Sequence, residues 1–445
     1  MKNISIILLT VAIAFTSCKF EEKDLFSSSA ADRLTKSQKE YTEVLCSASN
    51  GWVMDYFPHV DSEYSISYPW VDVSGRTFLV KFLPSGKVEL AAKNSETANQ
   101  FVRDICTFEL IADNGPVLSF NSYGETGIFH LYSSPADIAS TSGDRQDETG
   151  VGYNGDYEFM VISATPEKVI LKGKKRGVYI DLRRLPEDQN WVDYFTKLDA
   201  QDVALFKNNP LITLVMGDSI FDLYNAGTHT FKAVPKGGDY ILDAVNLPFI
   251  VTDFGLRLSK VLKINGVEAH DFELSADKQK LVATTSPNAY MTAGNNVYDA
   301  FVGQQQNNNV KWVIDLTDAN MGTSLSAVLN SVKSQLAAVG GVNLSQVDFR
   351  YAGGQNALSI TLAGIGTPGL YYYTVANTAS DVVYTSKNQS SSNGTIFANN
   401  ASSISDLVSL LSTTYTLVPD NGINYTKIKV TATNDANLWF YVVKK

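Results

Sequence analysis

Three cysteines and four histidines in 445 residues leave little for thiol or imidazole chemistry. No CxxC pair occurs, and His59, His130, His229 and His270 stand singly, with no two at the spacing of a helical zinc site, so neither a metal nor a cofactor is expected. Lys/Arg-dense runs are missing outside 172–176 and 183–184, and the formal charge is −10. That balance argues against nucleic acid as partner, because binding a phosphate backbone takes a basic patch that displaces counterions. Lys172, Lys174, Lys175 and Arg176 fall in a hairpin turn and read as a solvated tip. No apolar run approaches the roughly 20 residues a transmembrane helix needs.

What the chain does hold is a composition of 44% hydrophobic and 18% charged residues with 22 Tyr and 22 Phe, which suits a strand-rich folded protein. Its length exceeds what one core organises, so two domains or three are expected. Residues 1–17 carry one Lys, an apolar run from Ile4 to Phe15 and small residues, the layout of a secretory signal peptide. Cys18 follows directly. The segment resembles the lipobox of bacterial lipoproteins, with Phe15 in place of the usual aliphatic residue, which implies cleavage before Cys18 and lipidation of its thiol. The mature start Lys19-Phe20-Glu21-Glu22-Lys23-Asp24 is similar to the acidic export tag of Bacteroidetes lipoproteins. The expected location is the outer membrane, lipid-anchored and surface-exposed, with 18–29 as the tether.

Residues 30–47 place Leu34, Gln38, Tyr41, Val44 and Leu45 at helical spacing, and Asn50-Gly51 ends the run. The period then changes to two. Strands are expected at Trp52–Phe57, Thr77–Leu83, Lys87–Ala92, Thr107–Ala112, Ile128–Tyr132, Tyr157–Ser163, Val169–Lys172 and Val178–Leu182. A meander of this kind closes most economically into an antiparallel barrel, lipocalin-like, or a two-layer sandwich. The fold class is therefore mainly β with a few helices: an N-terminal barrel or sandwich over 30–187, then a second β-rich region over 188–445 that admits a further division near 290. In the second region a helix is expected over Trp191–Phe206, strands from Leu211 to Thr284, a helix over Leu325–Ala338, and a polar stretch dominated by Ser, Asn, Thr and Ala over 375–403. Lys168–Leu182 and Lys427–Val443 echo each other, which suggests two copies of one β plan.

The stretches Asp24-Leu25-Phe26, Ala30–Leu34, Asn50-Gly51-Trp52, Tyr56-Phe57-Pro58, Phe82–Val88 and Gly155–Phe159 are similar to a family of Bacteroidetes outer-membrane lipoproteins of unknown function, of the domain of unknown function 4302 type. The likeness covers 20–185 well and later regions weakly. That family has no assigned activity, so it lends no catalytic residue. It implies a setting: such lipoproteins are often encoded beside paired outer-membrane transporters and surface lipoproteins that import glycans or peptides.

Several motifs fail on their own mechanics. Met216–Asp222 looks like the nucleophile block of a serine esterase around Ser219, but no histidine has Asp three residues before it to supply the base. Gly364–Gly369 matches a dinucleotide fingerprint, yet Leu370-Tyr371-Tyr372 continues as strand where a helix must start. Asp315–Gly322 lacks the closing Glu of a calcium loop. Cys46 and Cys106 either pair or are two small buried thiols. The candidate binding residues are Tyr64, Tyr68 and Trp70, loop aromatics of the kind that stack on sugar faces. The leading expectation is a non-enzymatic binding or accessory component of glycan or nutrient uptake, with a glycan hydrolase or a structural, protein-binding subunit as alternatives.

Overall fold

The structure is a computed structural model and describes residues 28–57, 74–130, 155–175, 177–308 and 310–445. Cys18, His59, Tyr64, Tyr68 and Trp70 lie outside those residues. One plan is used three times: a helix leads into eight sequential antiparallel strands that close into a barrel.

In the first copy, α1 (Ala30–Ser47) starts where the Ser29 hydroxyl accepts from the Asp32 N–H at 3.1 Å. The turn into β1 (Trp52–Tyr56) needs Gly51, which has φ +87° and whose Cβ would fall 2.4 Å from the Val80 carbonyl oxygen. Then follow β2 (Arg76–Phe82), β3 (Lys87–Ala92), β4 (Val102–Ala112), β5 (Pro116–Phe120), β6 (Glu158–Ala164), β7 (Lys168–Gly173) and β8 (Tyr179–Arg184). Strand β8 returns to β1 with Arg184 opposite Trp52. Alternation sends Trp52, Met54 and Tyr56 inward, where they join Phe78, Phe82, Phe120, Phe129 and Phe159. Ring centroids there lie 4.4 Å (Phe120–Phe129) to 6.4 Å (Tyr56–Phe159) apart, so side chains fill the interior in place of the ligand cavity a lipocalin-like barrel offers.

The second copy is α2 (Trp191–Leu205) with β9 (Ile212–Met216), β10 (Ser219–Tyr224), β11 (Thr230–Pro235), β12 (Val245–Val251), β13 (Gly255–Ile264), β14 (Val267–Leu274), β15 (Leu281–Ala283) and β16 (Ser286–Ala293). The third is α3 (Val297–Asn308), β17 (Trp312–Ile314), α4 (Thr323–Ala338), β18 (Leu344–Ala352), β19 (Gln355–Leu362), β20 (Gly369–Asn377), β21 (Val382–Ser390), α5 (Ser392–Asn400), α6 (Ser403–Leu410), β22 (Thr414–Pro419), β23 (Lys427–Ala432) and β24 (Trp439–Lys444). The region from 188 thus holds two barrels. The echo read as two copies is two of three.

Helix α2 belongs to both of its neighbours. Trp191, Tyr194, Phe195 and Leu198 pack on Val53, Leu79 and Ala91, the outward side chains of the first barrel, while Leu205 and Phe206 enter the core of the second. The helices α5 and α6 are tied to the third barrel by buried tyrosines, with Tyr371 donating to the Gly394 carbonyl at 2.8 Å and Tyr373 to that of Val408 at 2.7 Å.

The expected strand Ile128–Tyr132 is not one over its described residues; the strand at that place in the meander is β5, and 121–130 is irregular. Asp104, near the start of β4 on the same face as Cys106 and Phe108 and 4% exposed, is the reason. Its carboxylate accepts from the N–H groups of Glu125, Thr126 and Gly127 at 2.8–3.1 Å and from the Thr126 hydroxyl at 2.7 Å. Burial pushes this carboxyl up, but the hydrogen bonds outweigh it and hold it below the usual carboxylate range. The segment so anchored delivers Phe129 to the barrel core and buries His130 beside Tyr123, ring centroids 4.6 Å apart. Asp104→Ala is expected to lower stability by about 2–3 kcal/mol, since hydrogen bonds to a charged acceptor are the stronger kind. The measurement is urea unfolding, with amide exchange localising the change to 121–130.

Candidate functional site

The motifs set aside above are ordinary turns. Gly217-Asp218 joins β9 to β10, and the Ser219 hydroxyl accepts from Asn265 Nδ2 at 3.0 Å. Gly364–Pro368 turns β19 into β20. Asp315 accepts from the Thr317 N–H at 3.1 Å and from Asn320 Nδ2 at 2.7 Å, and among the described residues no cluster of three His, Cys, Asp or Glu could hold a metal. Lys174 pairs with Asp113 at 2.6 Å on its hairpin. Cys46 and Cys106 are both free thiols, and burial pushes that of Cys106 up to about 12. The polar stretch 375–403 is spent on β20, β21 and α5.

A cleft of about 330 Å³ opens between the first two barrels, with α2 as its floor. Residues 74–77 and 93–99 of the first barrel form one wall, residues 227–229 and 250–251 of the second form the other, and Phe195 and Leu198 lie beneath. The walls approach closely: a Cβ on Gly75 would sit 2.2 Å from Cγ1 of Ile250. The arginine and the lysine of the cleft each meet a carboxylate, and the His229 ring meets a third. Arg76 forks onto Glu96, Nε–Oε2 3.2 Å and Nη2–Oε1 3.0 Å; burial raises the Glu96 carboxyl, and the bonds and charge of Arg76 bring it below the usual range. Lys93 pairs with Asp199, and His229 Nε2 lies 2.9 Å from Asp202 Oδ1. Amide and hydroxyl groups of Asn94, Ser95, Asn99 and Thr228 line the rest. The site therefore presents fixed donors and acceptors above an apolar floor, with little net charge. In the sequence only the spacing of Asp199 and Asp202, one helical turn apart on α2, hinted at it.

Behind the cleft the two barrels are joined by ions. Arg257, outward on β13 and 4% exposed, donates to Asp55 at 2.9 Å and to Asp271 at 2.7 and 3.0 Å, and lies 3.0 Å from Asp181. Arg183 reaches Asp55 at 3.1 Å and Asp253 at 3.2 Å, and the Tyr194 hydroxyl donates to Asp253 at 3.2 Å. Asp55, Asp181 and Arg183 come from the first barrel, Arg257, Asp253 and Asp271 from the second, so the cleft has a rigid back.

The chain thus holds three eight-stranded antiparallel barrels, with clefts at the two junctions between them. The family model described as "Domain of unknown function (DUF4302)" matches residues 22–276, more than half of the chain, and the protein belongs to that family. The match spans the first barrel and most of the second. No curated protein matches the chain. Among solved structures, a double mutant of the vaccine antigen transferrin-binding protein B from Haemophilus parasuis is 10% identical over 88% of this chain and 74% of its own, with a TM-score of 0.15. The DNA polymerase III β-subunit sliding clamp of Bartonella birtlesii is 11% identical over 92% and 97%, with a TM-score of 0.13. Scores this low describe no shared arrangement.

Proposed function

We propose that this protein is a lipid-anchored, non-enzymatic binding component of the outer membrane that holds a neutral polyhydroxylated ligand, most simply a glycan segment, in the cleft between the first two barrels. The observation that carries this reading is that Arg76 and Lys93 are each spent on a carboxylate of the cleft itself: what remains is an array of amide, hydroxyl and imidazole groups over Phe195 and Leu198, with no unpaired lysine or arginine among the described lining residues to draw an anion. Hydrolysis would need two carboxyls facing across the cleft, one of them held high enough to donate a proton. Asp199 and Asp202 share one helix, the first paired with Lys93 and the second hydrogen-bonded to the His229 ring, while Glu96 on the opposite wall is held low. Anchoring through Cys18 is part of the same proposal, and Cys18→Ser should move the protein from the membrane fraction to the soluble one.

Calorimetric titration against a panel of plant and host polysaccharides tests the ligand. Binding is expected to weaken about tenfold in His229→Ala, the order of one charged hydrogen bond. Tyr68→Ala and Trp70→Ala, run alongside, test the aromatic contacts expected from the sequence. Silence across the panel sinks the glycan reading. One observation would then favour a protein partner: Ile241 and Leu242 stand 86% and 82% exposed on a turn whose two N–H groups are held by the Asp239 carboxylate at 2.7 and 3.0 Å.

A further inference from the structure

A second cleft, of about 880 Å³, lies between the second and third barrels, and its chemistry is the reverse of the first. Lys207, Lys427, Lys444 and Lys445 line it, and no aspartate or glutamate does, in a chain whose formal charge is −10. Elsewhere Lys93, Lys168, Lys174 and Lys236 meet carboxylates. Among the described residues none of the lysines of this cleft has such a partner within 4.0 Å. Lys427 rests over the Tyr441 ring, 4.3 Å from its centroid, within electrostatic reach of Asp315.

Lys444 carries the argument. It is fixed by the seam of the third barrel, opposite Trp312 on β17, so its position is set by a strand ladder. Among the described residues its ammonium reaches neutral oxygens alone, Asn424 Oδ1 at 3.2 Å and the Asn208 carbonyl at 3.4 Å. Burial pushes it down to about 8. A half-buried cation whose partners are neutral acceptors is stabilised by an anion that enters beside it. Lysines act as point charges that bind phosphate or sulfate oxygens without a fixed fork, and this cleft offers lysines and no arginine. The volume lies within the range of whole-ligand sites, roughly 300–1,000 Å³, well beyond one bare ion.

We propose that the cleft between the second and third barrels is an anion site that takes the phosphate or sulfate group of a ligand of oligosaccharide size. It is independent of what the first cleft binds. The test is calorimetry on the purified protein at low ionic strength and pH 8, with inorganic phosphate, inorganic sulfate, a sugar phosphate, a sulfated disaccharide and its unsulfated parent as probes. The sugar phosphate or the sulfated disaccharide should bind more tightly than the inorganic ions, and the unsulfated parent not at all. The stronger of the two identifies the source of the oxyanion. Lys207→Ala and Lys427→Ala, on separate elements, should each weaken binding about tenfold with melting temperature unchanged. Binding should draw protons onto Lys444, seen as a heat that depends on the buffer, and Lys444→Gln should remove that dependence. No binding of any anion, or equal binding by the Lys207→Ala/Lys427→Ala double variant, overturns the proposal.

Discussion

Arg257→Met should lower the stability of the joint between the first two barrels by about 3–5 kcal/mol, the cost of leaving a buried partner charge uncompensated. Asp55 is 2% exposed and has only Arg257 and Arg183 as cations, so losing the first strands half of its charge pairing. Asp271 loses both bonds of its fork at once. Urea unfolding with limited proteolysis of the 184–191 connection reads the effect. A double variant that also replaces Asp55 with Leu should recover part of the loss, because an apolar pair of similar volume removes the desolvation problem; no recovery would mean the cluster is not the source. Acid should act in the same direction. Burial raises the Asp271 carboxyl, but the hydrogen bonds and charge of Arg257 outweigh it, and it sits below its usual value. A depressed carboxyl contributes stability that is complete above its unfolded pKa, about 4, and is lost as pH falls through the folded one. Stability should therefore be flat above pH 5 and fall below pH 4, with Arg257→Met showing a shallower fall.

The second large effect concerns a device repeated in the first and third barrels. Trp52 and Trp312 are the first residues of β1 and β17, both are 0% exposed, and each indole N–H donates to a carbonyl of the preceding helix: Leu45 at 2.9 Å and Phe301 at 3.0 Å. Each ring thus seals its barrel and binds its leading helix in one stroke. Trp52→Ala and Trp312→Ala should each cost about 3–5 kcal/mol. Tryptophan to phenylalanine at either place, which keeps most of the volume and removes the indole hydrogen bond, should cost about 1 kcal/mol, and at Trp312 the Phe301 carbonyl keeps the Gln305 side-chain amide at 2.6 Å. Amide exchange should show Trp52→Ala acting on β1–β8 and Trp312→Ala on β17–β24. A uniform loss over all three barrels would refute the reading of the device as local.

The β character and the three longest helices were legible because apolar alternation, helical spacing and turn residues report on one element at a time. Pro116–Phe120 was not, since a proline directly after Asp113-Asn114-Gly115 looks like a longer loop, while Ile128, Phe129 and His130 imitate a strand although Asp104 ties them down. Val382–Ser390 was hidden by polar residues: only Val382 and Tyr384 face the core, and a strand with a solvated face half full of Ser, Thr and Asn reads as loop. Both clefts were illegible for a different reason. Asp55 and Arg257 are 202 residues apart, and Lys207 and Lys444 lie on different barrels, so nothing local in the text marks them as neighbours. Tyr64, Tyr68 and Trp70 were singled out because loop aromatics are visible one residue at a time.

The loop between β22 and β23 does something no strand of its own barrel requires. Ile423, fully buried, belongs to the hydrophobic core of the second barrel, and its neighbours Asn421 and Asn424 donate to the carbonyls of Ala204 and Lys207 at the end of α2, while the Gly422 N–H donates to Lys278. As the chain emerges from the ribosome, the second barrel has all eight of its strands by residue 293 but lacks its stopper until about 130 residues later. Synthesis order and completion order are thus out of step: the middle of the protein is finished last, from the far end, and a chain cut between the second and third barrels would carry a barrel with an open mouth.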